Sequence, residues 1–503
     1  MNKAILMVLD GFGEGEDFDG NAVTQAKMSF IESLKEKYPS TLLKTSGNAV
    51  GLPEGAMGGS EAGHLTMGAG RIIWQPLEEI NRSIESGDFF EKKDFKKACQ
   101  VARENNSALH LMGLLSDGGI HSHEKHLYAL LELAKKEGVE KVYIHAMGDG
   151  RDVHTQSICE YLEKLQAKID KIGVGKIGSI IGRFYAMDRD TNWDRTEKAY
   201  KLYTSKTNEK HSNICESIKE YYKKAAPEEN YDYYLPAFRT EDFEPICNED
   251  AVIFFNFRSD RSQQLTRTFT EKDFMEFEAN IKPFFVCMGP YSHIAPVVFP
   301  PKKIENNLGE ILSKNNLKQL RIAETEKFAH VTFFFNSQEE SPYEGEDRIL
   351  VNSPKVASYS EKPEMSAHEI TEKVLPEIEK ENYDFILLNF ANLDLVGHSG
   401  ELEAAIKACQ VVDECTKKIV EKAREHGYDI LITGDHGNAE AMFYEGGHEH
   451  CTSHTLNPTR CIVVSDQVTE IKEGFGLSSV APTLLELMGI DKVEEMEGES
   501  LIK

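Results

Sequence analysis

Short apolar runs recur along the chain, and each stops abruptly at a polar cluster rich in Asp, Ser, Asn and Gly. Ala4 to Leu9, Leu109 to Leu115, Lys141 to Ala146, Phe284 to Met288, Phe385 to Phe390 and Ile430 to Ile432 all read this way. Near-continuous apolar runs of this length predict strands of a mostly parallel sheet covered on both faces. Between them lie stretches with helical spacing. His126 to Lys136 and Val480 to Met488 are amphipathic helices, and Glu401 to Glu425 places Leu402, Ile406, Cys409, Val412, Cys415 and Ile419 on one face. Strands alternating with helices predict an α/β class. Phe328 to Phe335 also reads as a strand, and Tyr200 to Tyr234, rich in Lys, Glu and Tyr, as solvated helices. Trp74 to Ile80 and the proline-rich Pro296 to Lys303 are candidate hinges.

The polar clusters carry the chemistry. Ligands of open α/β sheets gather past the carboxyl ends of strands, and there the chain puts Asp10-Gly11-Phe12-Gly13 and Gly434-Asp435-His436-Gly437-Asn438. Adjacent carboxylate and imidazole suit Mn²⁺, Zn²⁺ or Fe²⁺ better than Ca²⁺. Equally, Asp435 is a reasonable cap for a following helix and Asp10 a turn residue before glycine. Asp394 and His398 are spaced i,i+4, so one helical turn presents both to one ion. Gly58-Gly59-Ser60-Glu61-Ala62-Gly63-His64 places a serine among glycines at a helix start. That position favours an anion. It makes Ser60 either a metal-activated nucleophile or a plain N-cap. Arg151, Arg183, Arg189, Arg258 and Arg261 follow other apolar runs and together would form an anion pocket, although each alone is readily a surface ion pair. His121 and His123 are candidates for metal or substrate contact, and Lys327 for a phosphate contact or a charged strand edge. A set of Asp10, Asp394, His398, Asp435, His436 and His454 with a bridging Ser60 describes a two-metal phosphoryl-transfer site working through phosphoserine.

Composition narrows the partners. The chain has 503 residues, too long for one core. Its net charge of -27 and pI of about 5.1 speak against general nucleic-acid or membrane-surface binding, while leaving room for a small anionic substrate held by clustered arginines. Nine scattered cysteines without a CxxC pair fit free thiols in a reducing compartment. The short apolar start ends at Asp10-Gly11 without a cleavage pattern, and no stretch reaches the ~18 apolar residues of a membrane helix, so a cytoplasmic protein is expected.

Taken together, these clusters resemble the cofactor-independent phosphoglycerate mutases of the alkaline-phosphatase superfamily over essentially the whole length. The resemblance rests on Leu9-Asp10-Gly11-Phe12-Gly13, Gly51 to Gly55, Met57 to His64, Ser116 to His123, Asp149-Gly150-Arg151-Asp152, Ala186 to Asp190, Asn256-Phe257-Arg258, Asp394 to His398 and Gly434 to Glu440. It implies an alkaline-phosphatase-like, mostly parallel sheet flanked by helices, in two sequence pieces (1–74 and 304–503), with a second α/β domain (75–303) inserted. It further implies two Mn²⁺, with Co²⁺ or Zn²⁺ as substitutes, and no bisphosphoglycerate. Asp394, His398 and His454 would hold one ion, and Asp10, Ser60, Asp435 and His436 the other. Ser60 would be the nucleophile and Asp152 a base. His121, Arg151, Asp152, Arg183, Arg189, Arg258, Arg261 and Lys327 would contact phosphoglycerate, in a protein expected to be a monomer. The chain departs from the family pattern at Gly59, Ala62, His154, Ser259, Leu393 and His448-Glu449-His450-Cys451. His448 and His450 are expected outside the ligand set.

Overall fold

The computed structural model describes residues 2–206, 210–444, 447 and 449–503. Gly446 and His448 lie outside the described residues. The chain divides into two compact units, Met1–Gln75 with Lys303–Lys503, and Pro76–Lys302.

The first unit is built on a seven-stranded sheet in the order Glu346–Val351, Gln319–Glu324, Phe385–Phe390, Lys3–Leu9, Tyr428–Thr433, Thr459–Val464, Ser40–Leu43. The first five run parallel and the last two pair antiparallel. The apolar run Ala4 to Leu9 is the reason its strand is central. Ile5, Met7 and Leu9 face one core, with Ile370, Val374, Val412 and Ile419 from the helices Ala367–Glu379 and Leu402–Glu425. Ala4, Leu6 and Val8 face the other, with Leu484, Leu485 and Leu312 from Val480–Met488 and Leu308–Lys314. All six are completely buried. Each large apolar side chain removed from water contributes roughly 1.5–3 kcal/mol, so this strand's register, and with it the place of Asp10, is tightly held.

The second unit repeats the plan, with the order Lys210–His211, Phe238–Thr240, Lys176–Gly182, Val142–Gly148, Leu109–Leu114, Ala251–Phe254, Phe284–Cys287. Strands Lys176–Gly182 through Phe284–Cys287 are parallel, and Phe238–Thr240 joins them antiparallel. Leu109, Leu111, Ala251 and Ile253 face one core, and Met112, Leu114, Val252 and Phe254 the other.

Two expectations fail. Phe328 to Phe335 is not a strand but a helix, Thr325–Ala329, continuing as a π-helical turn, His330–Phe334. Val331 and Phe335, four apart, are its completely buried positions, and Gly68 lets the backbone of Phe335 press against the helix Ser60–Ala69. Side-chain burial at helical spacing overrides the strand preference of the β-branched and aromatic residues. The stretch Tyr200 to Tyr234 is only partly solvated, because Tyr200 and Tyr203 are buried in the second unit's core. No described helix is long and apolar enough to cross a membrane.

Candidate active site

Four neighbouring parallel strands of the first unit end at one place. Lys3–Leu9 delivers Asp10, and Tyr428–Thr433 delivers Asp435 and His436. Phe385–Phe390 leads into the helix Asn392–Gly397, which carries Asp394 with His398 just beyond it, and Gln319–Glu324 leads into the helix bearing Lys327. Ser60 opens the helix Ser60–Ala69. Gly11, at φ +77°, takes the left-handed turn that lets the backbone pass Asp394; a Cβ there would lie 2.7 Å from its backbone.

Ser60 is not a cap. The helix is preceded by extended Gly59, with no side-chain capping bond. Instead its Oγ donates to Asp10 Oδ1 at 3.2 Å, lies 3.0 Å from His436 Nε2 and accepts from Lys327 Nζ at 2.6 Å. The same ammonium donates to Asp10 Oδ1 and Asp394 Oδ2, both at 2.6 Å. Nor does Asp435 cap a helix. Its Oδ1 accepts the backbone N–H groups of Gly11 and His436, and its buried Oδ2 has no hydrogen-bond partner among the described residues, His64 Nδ1 lying 3.3 Å away.

His398 and His454 meet on Asp394. Their Nε2 atoms lie 3.2 and 3.1 Å from Asp394 Oδ1 and 3.2 Å from each other. Each Nδ1 sits 2.7 Å from a backbone carbonyl, that of Thr452 for His398 and of Gly58 for His454. An imidazole that donates Nδ1–H to a carbonyl offers the Nε2 lone pair. Two lone pairs and a carboxylate oxygen therefore converge, an arrangement that calls for a cation.

The electrostatics agree. Asp10, Asp394 and Asp435 are buried acids, and buried charge must be compensated. Burial opposes the charge of Asp394, yet Lys327 and the imidazoles of His398, His454 and His436 hold its carboxyl well below the usual range. Burial also opposes charge on His436, but Asp435, Asp10 and Asp394 outweigh it and lift the imidazole to about 9. Lys327 is driven upward despite its burial by Asp10, Asp394 and Asp435. Three donor groups each lie within 4.8 Å: Asp394, His398 and His454; Asp10, Asp394 and His436; and Asp10, His64 and Asp435. The orphaned Asp435 Oδ2, the converging lone pairs and the excess of buried acid all suit divalent cations.

Four residues here were not singled out as functional from the sequence. His64 stands with Nδ1 2.9 Å from the Ser60 carbonyl and 3.3 Å from Asp435 Oδ2. Asn389 donates to Asp10 Oδ2 at 2.8 Å and pairs with His64 Nε2. Asn438 donates to Asp394 Oδ1 at 2.9 Å. Glu440 accepts from the Asn438 N–H, from Thr455 Oγ1 beside His454, and from Asn457. Asn389 was visible as the lone amide within an apolar strand, and Asn438 and Glu440 as close neighbours of Asp435. His450 lies outside the ligand groups, bonded to the Gly400 carbonyl.

The second unit gathers its own cluster at strand ends. Arg183, 2% exposed, donates through Nη1 to Asp149 Oδ1 and Asp152 Oδ2, both at 2.6 Å. His121 lies 3.9 Å from both Asp152 and Asp260, and Asp260 pairs with Arg258 at 3.0 Å and Arg189 at 2.9 Å. Arg261 donates to the Met187 carbonyl. Its guanidinium is depressed first by burial and then by the like charges of Arg189, Arg183 and Arg151, with Tyr233 opposing. Burial, then Arg183, lowers His121 to about 4. The five arginines and His121 therefore share one neighbourhood with Asp149, Asp152 and Asp260. Lys327 belongs instead with Ser60, and His123 caps the helix Glu124–Lys136 by accepting the Lys125 N–H.

Comparison with known proteins places both units. The profile described as BPG-independent PGAM N-terminus matches residues 80–293, and that of type I phosphodiesterase / nucleotide pyrophosphatase matches 321–456. A 2,3-bisphosphoglycerate-independent phosphoglycerate mutase of Acetivibrio thermocellus is 48% identical over 99% of this chain and 98% of its own. One from Methanosarcina barkeri is 50% identical, again over 99% and 98%. A crystal structure of Leishmania mexicana phosphoglycerate mutase at low cobalt concentration aligns over 100% of this chain and 98% of that one, at 30% identity and a TM-score of 0.61.

Proposed function

This chain belongs to the family of 2,3-bisphosphoglycerate-independent phosphoglycerate mutases, and we propose that it interconverts 3-phosphoglycerate and 2-phosphoglycerate through a phosphoserine at Ser60. The observation that carries the reading is the setting of Ser60 Oγ, which faces Asp10 Oδ1, His436 Nε2 and Lys327 Nζ within 3.2 Å at the start of a helix.

Asp394, His398 and His454 would hold one divalent cation, and Asp10, Ser60, Asp435 and His436 a second. We read both as Mn²⁺, for which carboxylate and imidazole donors are suited. When bound, such ions lower the pKa of the serine hydroxyl and neutralise phosphoryl charge. Lys327 directs an N–H at Ser60 Oγ and supplies a further positive charge where the phosphoryl oxygens would lie. His64, Asn389 and Asn438 hold the Ser60 carbonyl, Asp10 and Asp394 in position.

In this reading Ser60 Oγ gives up its proton and bonds to phosphorus as the bond from phosphorus to the 3-oxygen of 3-phosphoglycerate breaks; the freed 3-oxygen takes up a proton and glycerate stays bound. Arg151, Arg189, Arg258 and Arg261 hold its carboxylate and the phosphate by charge-assisted hydrogen bonds. Arg183 fixes the carboxylate of Asp152, which takes the proton of the 2-hydroxyl as that oxygen accepts the phosphoryl group back.

The test is phosphorus NMR of 3-phosphoglycerate with Mn²⁺-loaded protein and no added bisphosphoglycerate. Formation of 2-phosphoglycerate with little free phosphate is expected, and Ser60→Ala should abolish it while metal stays bound. Release of free phosphate instead would make the chain a phosphatase. Turnover retained by the Ser60→Ala protein would end the covalent mechanism.

A further inference from the structure

The second unit holds a pair of thiols that the proposed phosphoryl chemistry does not use. Cys159 is the second residue of the helix Ile158–Ile172, and Cys215 the second of Ile214–Lys224. The Cys159 Sγ–H donates to the Cys215 carbonyl oxygen at 4.0 Å, so the sulfur of one cysteine touches the backbone of the other. One buried acid ties the start of the first helix to the last turns of the second. Asp232 accepts the Ser157 and Ile158 N–H groups through Oδ2, each at 2.8 Å, and the Tyr222 hydroxyl of the other helix through Oδ1. Asn213 caps the second helix by accepting the Glu216 N–H at 3.2 Å. Each cysteine thus sits in the first turn of a helix whose start is bonded, and Asp232 ties the two helices together.

The other seven cysteines are placed differently. Cys99, Cys287, Cys409, Cys415, Cys451 and Cys461 are buried, and Cys247 is exposed. Cys159 and Cys215 alone are half-buried, reachable by a small polar oxidant yet fixed in position. The neighbouring Cys159 and, less, Lys219 one turn along its helix lower the Cys215 thiol against burial and Glu163, while Cys215 and burial raise Cys159. Cys215 is therefore the more readily ionised thiol of the pair, and a helix N-terminus adds to the stability of a thiolate.

We propose that Cys159 and Cys215 form a reversible disulfide on exposure to peroxide, a redox-responsive clasp between the helices Ile158–Ile172 and Ile214–Lys224. The Cys215 thiolate attacks one oxygen of hydrogen peroxide. The O–O bond breaks, and the departing hydroxide takes a proton to become water, leaving a sulfenic acid on Cys215. Cys159 sulfur then attacks the Cys215 sulfur. The S–O bond breaks, and hydroxide leaves with the Cys159 proton as a second water. Two thiols have lost two protons and two electrons, and one peroxide has become two waters. Such a bond is transient in a reducing compartment and accumulates under oxidative load. The clasp would fasten the helix that follows directly on the loop bearing Arg151 and Asp152.

The test uses the full chain, metal-loaded, with Cys247→Ser to prevent cross-linking between molecules. After a few equivalents of hydrogen peroxide, peptide mapping without reductant should give one cross-linked pair joining Cys159 to Cys215. The protein should lose two thiols, and dithiothreitol should restore them. Cys159→Ser should abolish the cross-link and leave Cys215 as a sulfenic acid that dimedone traps. Cys215→Ser should slow oxidation of Cys159 by about tenfold or more, because the reactive thiolate is gone. Loss of other thiols without the 159–215 cross-link, or an unchanged oxidation rate in the Cys215→Ser protein, would overturn the proposal.

Discussion

Replacing Lys327 by Met separates the charge balance of the cation-free site from its chemistry. The ammonium is 3% exposed and makes three 2.6 Å contacts, to Asp10 Oδ1, Ser60 Oγ and Asp394 Oδ2. Methionine keeps the length and apolar stem but leaves two buried carboxylates facing one another, with Asp435 close by. Removing one partner of a buried ion pair costs about 3–5 kcal/mol. For a unit of this size, roughly 2–4 °C per kcal/mol applies, so the midpoint of metal-free protein should fall by about 10 °C. Divalent cations supply the missing charge, so adding Mn²⁺ should close more than half of that gap. The variant should therefore gain more from metal than the parent does, while turnover falls by about 10²–10³, the usual loss when one preorganised donor to developing charge is removed. Calorimetry with and without Mn²⁺, paired with phosphoglycerate turnover, reads both halves. An unchanged metal-free midpoint would mean that Lys327 does not balance the buried acids. Loss of metal binding in the Met variant would refute the reading that ammonium and cations compensate the same carboxylates.

Arg183 and Arg258 should part in the same way. Arg183→Met leaves Asp149 and Asp152 without their buried cation and should cost the second unit about 3–5 kcal/mol in urea unfolding. Exposed Arg258→Ala should change stability by under about 0.5 kcal/mol but raise the KM for 3-phosphoglycerate at least tenfold. Asn389→Leu removes the amide that orients Asp10, and titration calorimetry should show metal affinity weakened about 10–100-fold with the fold retained. His126, brought to about 3 by burial first and then by His123 and Lys125, and His145, pushed well down by burial and then by His110 and Arg239, are neutral when folded. The unfolded chain binds those two protons near pH 6.5, so stability is full above that pH and falls as the pH drops below it. Each group contributes a slope of about 1.4 kcal/mol per pH unit. Urea midpoints at pH 5 and 7 measure this, and equal midpoints would show that both rings are protonated in the folded state.

The parallel strands were legible because burial on both faces leaves a continuous apolar signature, and the strand ends that carry Asp10, Asp394 and Asp435 follow from it. The pairing of Asp394 with His398 was legible because i,i+4 spacing is local geometry. Whether Ser60 is a cap or a nucleophile was not, since either role asks for a hydroxyl at a helix start among glycines. What supports the second, proposed role is Asp10, His436 and Lys327 meeting its oxygen, and those partners lie 50, 376 and 267 residues away. The helix that carries Lys327 was obscured by the aromatic and β-branched residues just after it, which favour a strand until tertiary packing buries Val331 and Phe335, four apart, completely. Asn389 teaches the converse. An amide in the middle of an apolar strand costs burial energy unless it is bonded, and here its partners are Asp10, a proposed metal ligand, and His64, which stands behind Ser60. A lone polar residue in a buried strand therefore points to its site as surely as the acid at the strand's end, although only the fold reveals which oxygen it holds.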